Sequence, residues 1–314
     1  MDALEQTIRA EKVGFDSVWA DDHFHPWYHD NAQSAQAWAW MGAALQATKK
    51  VFISTCITCP IIRYNPAIVA QTFATLRQMY PGRVGVAVGA GEAMNEVPVT
   101  GEWPSVPVRQ DMTVEAVKVM RMLWESDKPV TFKGDYFTLD KAFMYTKPDD
   151  EVPLYFSGMG PKGAKLAGMY GDHLMTVAAA PSTLKNVTIP KFEEGAREAG
   201  KDPSKMEHAM LIWYSVDPDY DKAVEGNRFW AGCLVPSMFK YKVYDPKEVQ
   251  LHANLVHCDT IKENYMCATD AEEMIKEIER FKEAGINHFC LGNSSPDVNF
   301  GIDIFKEVIP AVRD

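Results

Sequence analysis

Short apolar runs of period two alternate along the chain with longer runs whose apolar positions recur every three or four residues. That order predicts strands and amphipathic helices alternating around a parallel sheet. The strand-like runs are Phe15 to Ala20, Val51 to Ile57, Val84 to Gly89, Leu154 to Ser157, His173 to Val177, His208 to Val216 and His288 to Gly292. The helical runs are Ala32 to Ala47, Ala67 to Met79, Arg109 to Glu125, Gly163 to Met169, Leu184 to Ala199, Ala271 to Ala284 and Ile302 to Arg313. With no composition break between two halves, a single α/β domain over residues 1–314, a (β/α)8 barrel, fits this order better than two domains.

Two segments exceed a minimal barrel. Residues 126–150 contain alternating positions from Val130 to Leu139 around Gly134 and read as a hairpin insertion. Residues 217–268 are too long for one βα unit and read as a helical insertion over one mouth of the barrel. The chain also opens on an amphipathic helix, Met1 to Lys12, whereas a closed eight-stranded barrel needs a strand before it. The first strand is therefore expected to be missing from the written sequence, leaving two neighbouring strand edges unpaired.

Composition narrows the partners. Of 314 residues, 46% are hydrophobic and 24% charged, which excludes disorder. Asp and Glu number 43 against 32 Lys and Arg, so the net charge of −11 opposes a phosphate backbone or an anionic membrane surface. With no basic patch, nucleic acid is excluded as a partner. No apolar stretch reaches the roughly 20 residues of a membrane span, and a cytoplasmic protein is expected. The six cysteines are few for this length and read as reduced core thiols.

Candidate chemistry gathers after the strands. Asp21-Asp-His-Phe-His-Pro-Trp-Tyr-His29 follows the first strand, at the end where barrel active sites are built. His23, His25 and His29 suggest a metal, but Pro26 prevents one helical face and no second cluster completes a ligand set, so no metal is expected. Cys56-Ile-Thr-Cys59 lies within a strand and lacks a partner pair, which favours ordinary strand cysteines over redox or zinc chemistry. Gly89-Ala-Gly-Glu-Ala-Met-Asn95 lacks the third glycine of a dinucleotide fingerprint; it is either a plain turn or one that presents Glu92 and Asn95 to a ligand. Ser157-Gly-Met-Gly-Pro-Lys-Gly-Ala-Lys165 joins a strand to a helix start with glycines and lysines, the ingredients of an anion site. Trp213, Tyr214 and the run Phe229 to Phe239 read as helix core or as the apolar lining of a lid.

Together Asp22-His23-Phe24 with Pro26-Trp27, the strand Ser54 to Thr58, the Gly89 to Asn95 turn and the Ser157 to Pro161 loop resemble the bacterial-luciferase-like superfamily. Within it they are most similar to the branch that uses the deazaflavin coenzyme F420, and there to the secondary alcohol dehydrogenases of methanogenic archaea. The resemblance covers essentially the whole chain and implies a TIM barrel of the luciferase-like type, a homodimer, and hydride transfer from a small secondary alcohol to carbon 5 of F420, giving a ketone. It implies His23 as general base, Trp27 stacked over the reacting centre and Glu92 near the pyrimidine end of the coenzyme. It also implies coenzyme contacts from Asp22, Cys56, Ile57, Thr58, Gly91, Glu92 and Asn95, with a non-prolyl cis bond at Cys56-Ile57. The coenzyme's phosphate and acidic tail would fall near Ser157, Gly158, Gly160, Lys162, Ala179 and Ala180, and the substrate among Trp27, Trp213, Trp230 and Cys233.

F420-dependent glucose-6-phosphate dehydrogenases share the Asp-His-Phe and Pro-Trp pattern, but Lys185, Lys240 and Lys242 show no pattern that gathers them on a phosphate. The His23 and Trp27 pair disfavours a methylenetetrahydromethanopterin reductase. An FMN monooxygenase and a non-catalytic coenzyme-binding barrel are the other readings.

Overall fold

A computed structural model describes residues 2–313. The strands are β1 (Ser17–Ala20), β2 (Phe52–Thr55), β3 (Val86–Val88), β4 (Val130–Lys133), β5 (Thr138–Ala142), β6 (Leu154–Ser157), β7 (His173–Val177), β8 (His208–Val216), β9 (Met266–Ala268) and β10 (His288–Asn293). β4 and β5 form a separate antiparallel pair. The others are parallel: β1 pairs with β2, and β3, β6, β7, β8 and β10 run side by side, with β9 on the C-terminal end of β8. Bridges from Ile53 to Val84 and from Thr58 to Val88 join β2 to β3, curling the two sheets into one wall. This is a TIM-barrel-like α/β fold.

The structure corrects the strand count. Eight parallel strands occur among the described residues, one more than the periodicity reveals, because β9 is only Met266-Cys-Ala268 and lies inside the stretch read as insertion. The curl stays open between β1 and β10. They share no ladder, meet through a 2.8 Å contact between Ser17 Oγ and His288 Nε2, and flank a cavity of about 300 Å³. The first helix spans Asp2–Val13, Met1 being outside the described residues.

Other departures have local causes. The second helix begins at Ala37, five residues later than its periodicity, because Gln36 caps it by accepting from the Ala39 N–H. A short helix, Ala93–Thr100, was hidden by Pro98. Asn65 caps the helix Pro66–Met79, and Asp270 caps Ala271–Lys282.

Between wall and helices lies the main core, with Leu45, Phe73, Met120, Leu174, Phe192 and Phe281 all fully buried. Each such side chain contributes about 1.5–3 kcal/mol. Inward-facing residues plug the barrel itself: Trp19 from β1, Ala87 from β3, Tyr155 from β6, Met175 from β7, Ala209 from β8 and Cys290 from β10. The plug forces any ligand to sit above it, at the C-terminal ends of the strands. All six cysteines are free thiols. No described helix is long and apolar enough to cross a membrane.

Candidate active site

Directly above the plug, the loops after β1, β2, β3, β6 and β8 enclose a cavity of about 380 Å³. The loop after β1 is fixed by Asp22. Its Oδ2 accepts from the Thr58 hydroxyl at 2.7 Å, and its Oδ1 accepts from Arg63 Nη2 at 3.1 Å and the Tyr64 hydroxyl at 3.2 Å. With those sites filled, Asp22 holds its neighbours in place. Arg63 also donates to the Asp22 main-chain oxygen, and its Nε lies 3.7 Å from buried Glu96.

His23 and Glu92 face each other, Nε2 to Oε2 at 3.4 Å. His23 Nδ1 lies 3.2 Å from the His25 carbonyl, so Nδ1 is assigned the proton and Nε2 keeps its lone pair toward the cavity. Asn95 sets this spacing: its Oδ1 accepts from the Phe24 N–H at 2.9 Å while its Nδ2 donates to Glu92 Oε2 at 3.2 Å.

Burial dominates the protonation of the pair. It lowers His23 to about 4, aided by the Arg63 charge and only partly offset by the His25 carbonyl. It raises Glu92 to about 8, with Asp21 and Glu96 adding like charge and Arg109 and Asn95 opposing. At neutral pH the two are therefore an uncharged imidazole and a protonated carboxyl, not an ion pair. Burial also raises Glu96 to about 7 against the pull of Arg63.

Trp27 is 4% exposed and tilts between His23, 6.1 Å away, and Phe239, 5.7 Å away. Trp213 and Trp230 stack at 5.1 Å and 23°, and Cys233 completes this apolar side; burial holds its thiol well above the usual range. Trp230, Cys233 and Phe239 belong to the helical cover of 227–240. Arg109 ties that cover to the wall: it donates to the carbonyls of Pro104, Ala90, Gly91 and Phe239, and its guanidinium lies 3.6 Å over the Trp103 ring.

On the β6 side the lining is Ser157, Met159, Gly160 and Gly163, at the start of the helix Pro161–Tyr170. A side chain at Gly158 would meet Ala164 N at 2.7 Å, so only glycine lets this strand end close on the helix N-terminus. Gly91 has φ +75°, which opens the turn carrying Glu92. The Cys56-Ile57 peptide is cis, as the resemblance implies, and both residues line the cavity.

Thirteen of the residues singled out in the sequence thus meet in one lining: Asp22, His23, Trp27, Cys56, Ile57, Gly91, Glu92, Asn95, Ser157, Gly160, Trp213, Trp230 and Cys233. Thr58 stands behind Asp22, while Gly158, Lys162, Ala179 and Ala180 are not lining residues; Lys162 is exposed. Lys165 is turned away into pairs with Glu194 and Glu198 at 2.8 and 2.7 Å. Sequence reasoning missed Glu96, Arg109 and Gln110, placed Phe239 in a run read as helix core or lid lining, and left Asp21 without a role inside its cluster. For Asp21 a signal existed: Ser17 and Trp19 point inward from β1, and period two carries Asp21 to the same side. Asp21 is exposed where this cavity meets the gap between β1 and β10, and desolvation by the surrounding protein, with Asp22 beside it, raises its pKa to about 7. Among the described residues no group of three or more His, Cys, Asp and Glu is arranged to hold a metal.

A barrel whose His23, Trp27 and Glu92 side chains meet from the loops after β1 and β3 over a cis peptide defines a class, and the family comparison agrees. The chain belongs to the luciferase-like monooxygenase family, whose profile matches residues 1–288. An F420-dependent glucose-6-phosphate dehydrogenase from Amycolatopsis mediterranei (strain U-32) is 38% identical over 99% of this chain and 94% of its own. A solved F420-dependent secondary alcohol dehydrogenase in complex with an F420-acetone adduct is 98% identical, with a TM-score of 0.99 over 100% of this chain and 95% of that one. The coenzyme F420 dependent tetrahydromethanopterin reductase from Methanopyrus kandleri, 22% identical with a TM-score of 0.82 over 99% of this chain and 95% of that one, shares the fold.

Proposed function

We infer that the chain oxidises small secondary alcohols to ketones with coenzyme F420 as hydride acceptor. The observation that carries this is the cavity itself: an uncharged His23–Glu92 pair beside Trp27, walled by Trp213, Trp230 and Cys233, with Arg109 as the one Lys or Arg among the described residues of the lining. The 98% identity to a secondary alcohol dehydrogenase supports it. A sugar phosphate needs free cations, and none of Lys185, Lys240 and Lys242 lines the cavity; Lys242 donates instead to the Gly101 carbonyl at 3.0 Å.

The residues fit the coenzyme. Ile57 and Cys56 offer a flat apolar support, and the close-packed Gly158 turn with Gly160 and Gly163 offers helix N–H groups for a phosphate, with Lys162 exposed nearby and Ala179 and Ala180 following β7. Bound there, F420 supplies the carbon that accepts the hydride. His23 Nε2 takes the hydroxyl proton as the carbonyl forms, and an imidazole lowered to about 4 is free to accept at any pH above about 5. Trp27 walls the alcohol against His23. Protonated Glu92 keeps negative charge off the imidazole and holds a proton for the reduced ring. Asp22, Thr58, Gly91 and Asn95 position this set. The same reading takes residues 1–314 as one barrel domain, with 126–150 and 217–268 as insertions, acting as a cytoplasmic homodimer in a methanogen.

Loss of the visible absorbance of oxidised F420 tests the assignment. It is expected with isopropanol and not with glucose 6-phosphate; activity with the sugar phosphate alone overturns the reading.

A further inference from the structure

The cavity lining carries carboxyls and little positive charge. Asp21, Asp22, Glu92 and Glu96 all belong to it. Three of them are accounted for: Asp22 by Thr58, Tyr64 and Arg63, Glu96 by Arg63, and Glu92 by Asn95 and His23. Arg109, the one Lys or Arg among the described lining residues, is occupied by four main-chain carbonyls and the Trp103 ring. Asp21 is left over. No donor among the described residues reaches its carboxyl, and it shares the lining with Trp213, Trp230 and Cys233.

The proposed chemistry gives Asp21 no task, but its position has consequences for anything that enters. Above neutral pH, an anion beside Asp21 meets a carboxylate that has no paired cation and lies against the apolar walls of Trp213 and Trp230, where repulsion is stronger than in bulk water. A neutral hydroxyl compound meets no such charge and finds a hydrogen-bond acceptor. We propose that Asp21 is a specificity-determining residue of this cavity, admitting neutral hydroxyl and carbonyl compounds and rejecting carboxylates and phosphates of the same size. This rests on the alcohol dehydrogenase reading and deepens it: the substrate class is defined by charge as well as by dimensions. Rejection by charge is the negative half of specificity, which contacts to the preferred substrate do not supply.

Lactamide and lactate separate charge from size, since each is a small secondary alcohol of nearly the same shape and only lactate is an anion. Their binding to the coenzyme-loaded enzyme is compared by calorimetry above neutral pH, for wild type, Asp21→Asn and Asp21→Glu. The wild type and the Glu variant are expected to favour lactamide strongly. The Asn variant should narrow the lactamide-to-lactate ratio by about tenfold or more, chiefly through tighter lactate binding. An unchanged ratio, or an equal shift for both ligands, overturns the proposal; Asp21→Ser carries the same comparison if the Asn variant does not fold. Isopropanol turnover by the wild type is followed in parallel. Its absence with a narrowed ratio sinks the dehydrogenase reading and leaves the charge rule standing, while turnover with an unchanged ratio does the reverse.

Discussion

The barrel holds two histidine–glutamate pairs, one at each end, and they behave in opposite ways. At the C-terminal mouth, His23 and Glu92 are 3.4 Å apart, with the imidazole lowered to about 4 and the carboxyl raised to about 8. At the N-terminal end, His288 Nδ1 and Glu207 Oε2 are 2.6 Å apart. There burial pushes Glu207 up, but the hydrogen bond and charge of His288, the Tyr155 hydroxyl and His173 outweigh it and hold the carboxyl at about 2. Identical residue types thus give a neutral pair in one place and a carboxylate in the other. The neighbours decide: Glu207 is surrounded by donors and is 42% exposed, whereas Glu92 has Asp21 and Glu96 beside it in a closed space. The neutral pair is the one poised to exchange a proton at ordinary pH.

Substitutions can break this contrast. The largest effect is expected for His23→Ala, which should lower kcat with isopropanol by roughly 10² to 10⁴, read from coenzyme absorbance. Glu92→Gln should cost about 10²-fold and change the pH profile. If Glu92 acts protonated as proposed, with burial raising it to about 8, wild-type turnover should decline above about pH 8. The Gln variant should lose that alkaline limb. Asn95→Ala frees both the Phe24 loop and Glu92, so kcat should fall about tenfold with KM nearly constant.

The opposite pair should leave catalysis alone. His288→Ala is expected to keep kcat within about twofold and to lower stability by about 1 kcal/mol in denaturant titration, the scale of a partly exposed ion pair. The smallest effect concerns acid. A carboxyl held at about 2 in the folded chain, against an ordinary 4.5, contributes stability that is present above 4.5 and lost as pH falls toward 2. Glu207→Gln should flatten that slope in melting temperature.

How much of this was legible in the sequence follows from range. His23, Trp27 and Glu92 sit in short runs at strand ends, so local order marked those runs while the family resemblance singled out the residues within them. β9 escaped because three residues carry no periodicity, and its strand state depends on pairing with Tyr214 to Val216. Arg109 escaped because an arginine opening an amphipathic helix normally faces solvent. Here it is 3% exposed, and its partners at Ala90, Gly91 and Phe239 come together only in three dimensions. The protonation contrast between the two pairs is likewise invisible along the chain, since it depends on carboxyls from separate loops.

Arg109 has a mechanical consequence. One guanidinium grips the carbonyls just before Glu92 and the carbonyl of Phe239 in the cover, so the same side chain anchors both. Removing that guanidinium would therefore loosen the cover and the turn that carries Glu92 together.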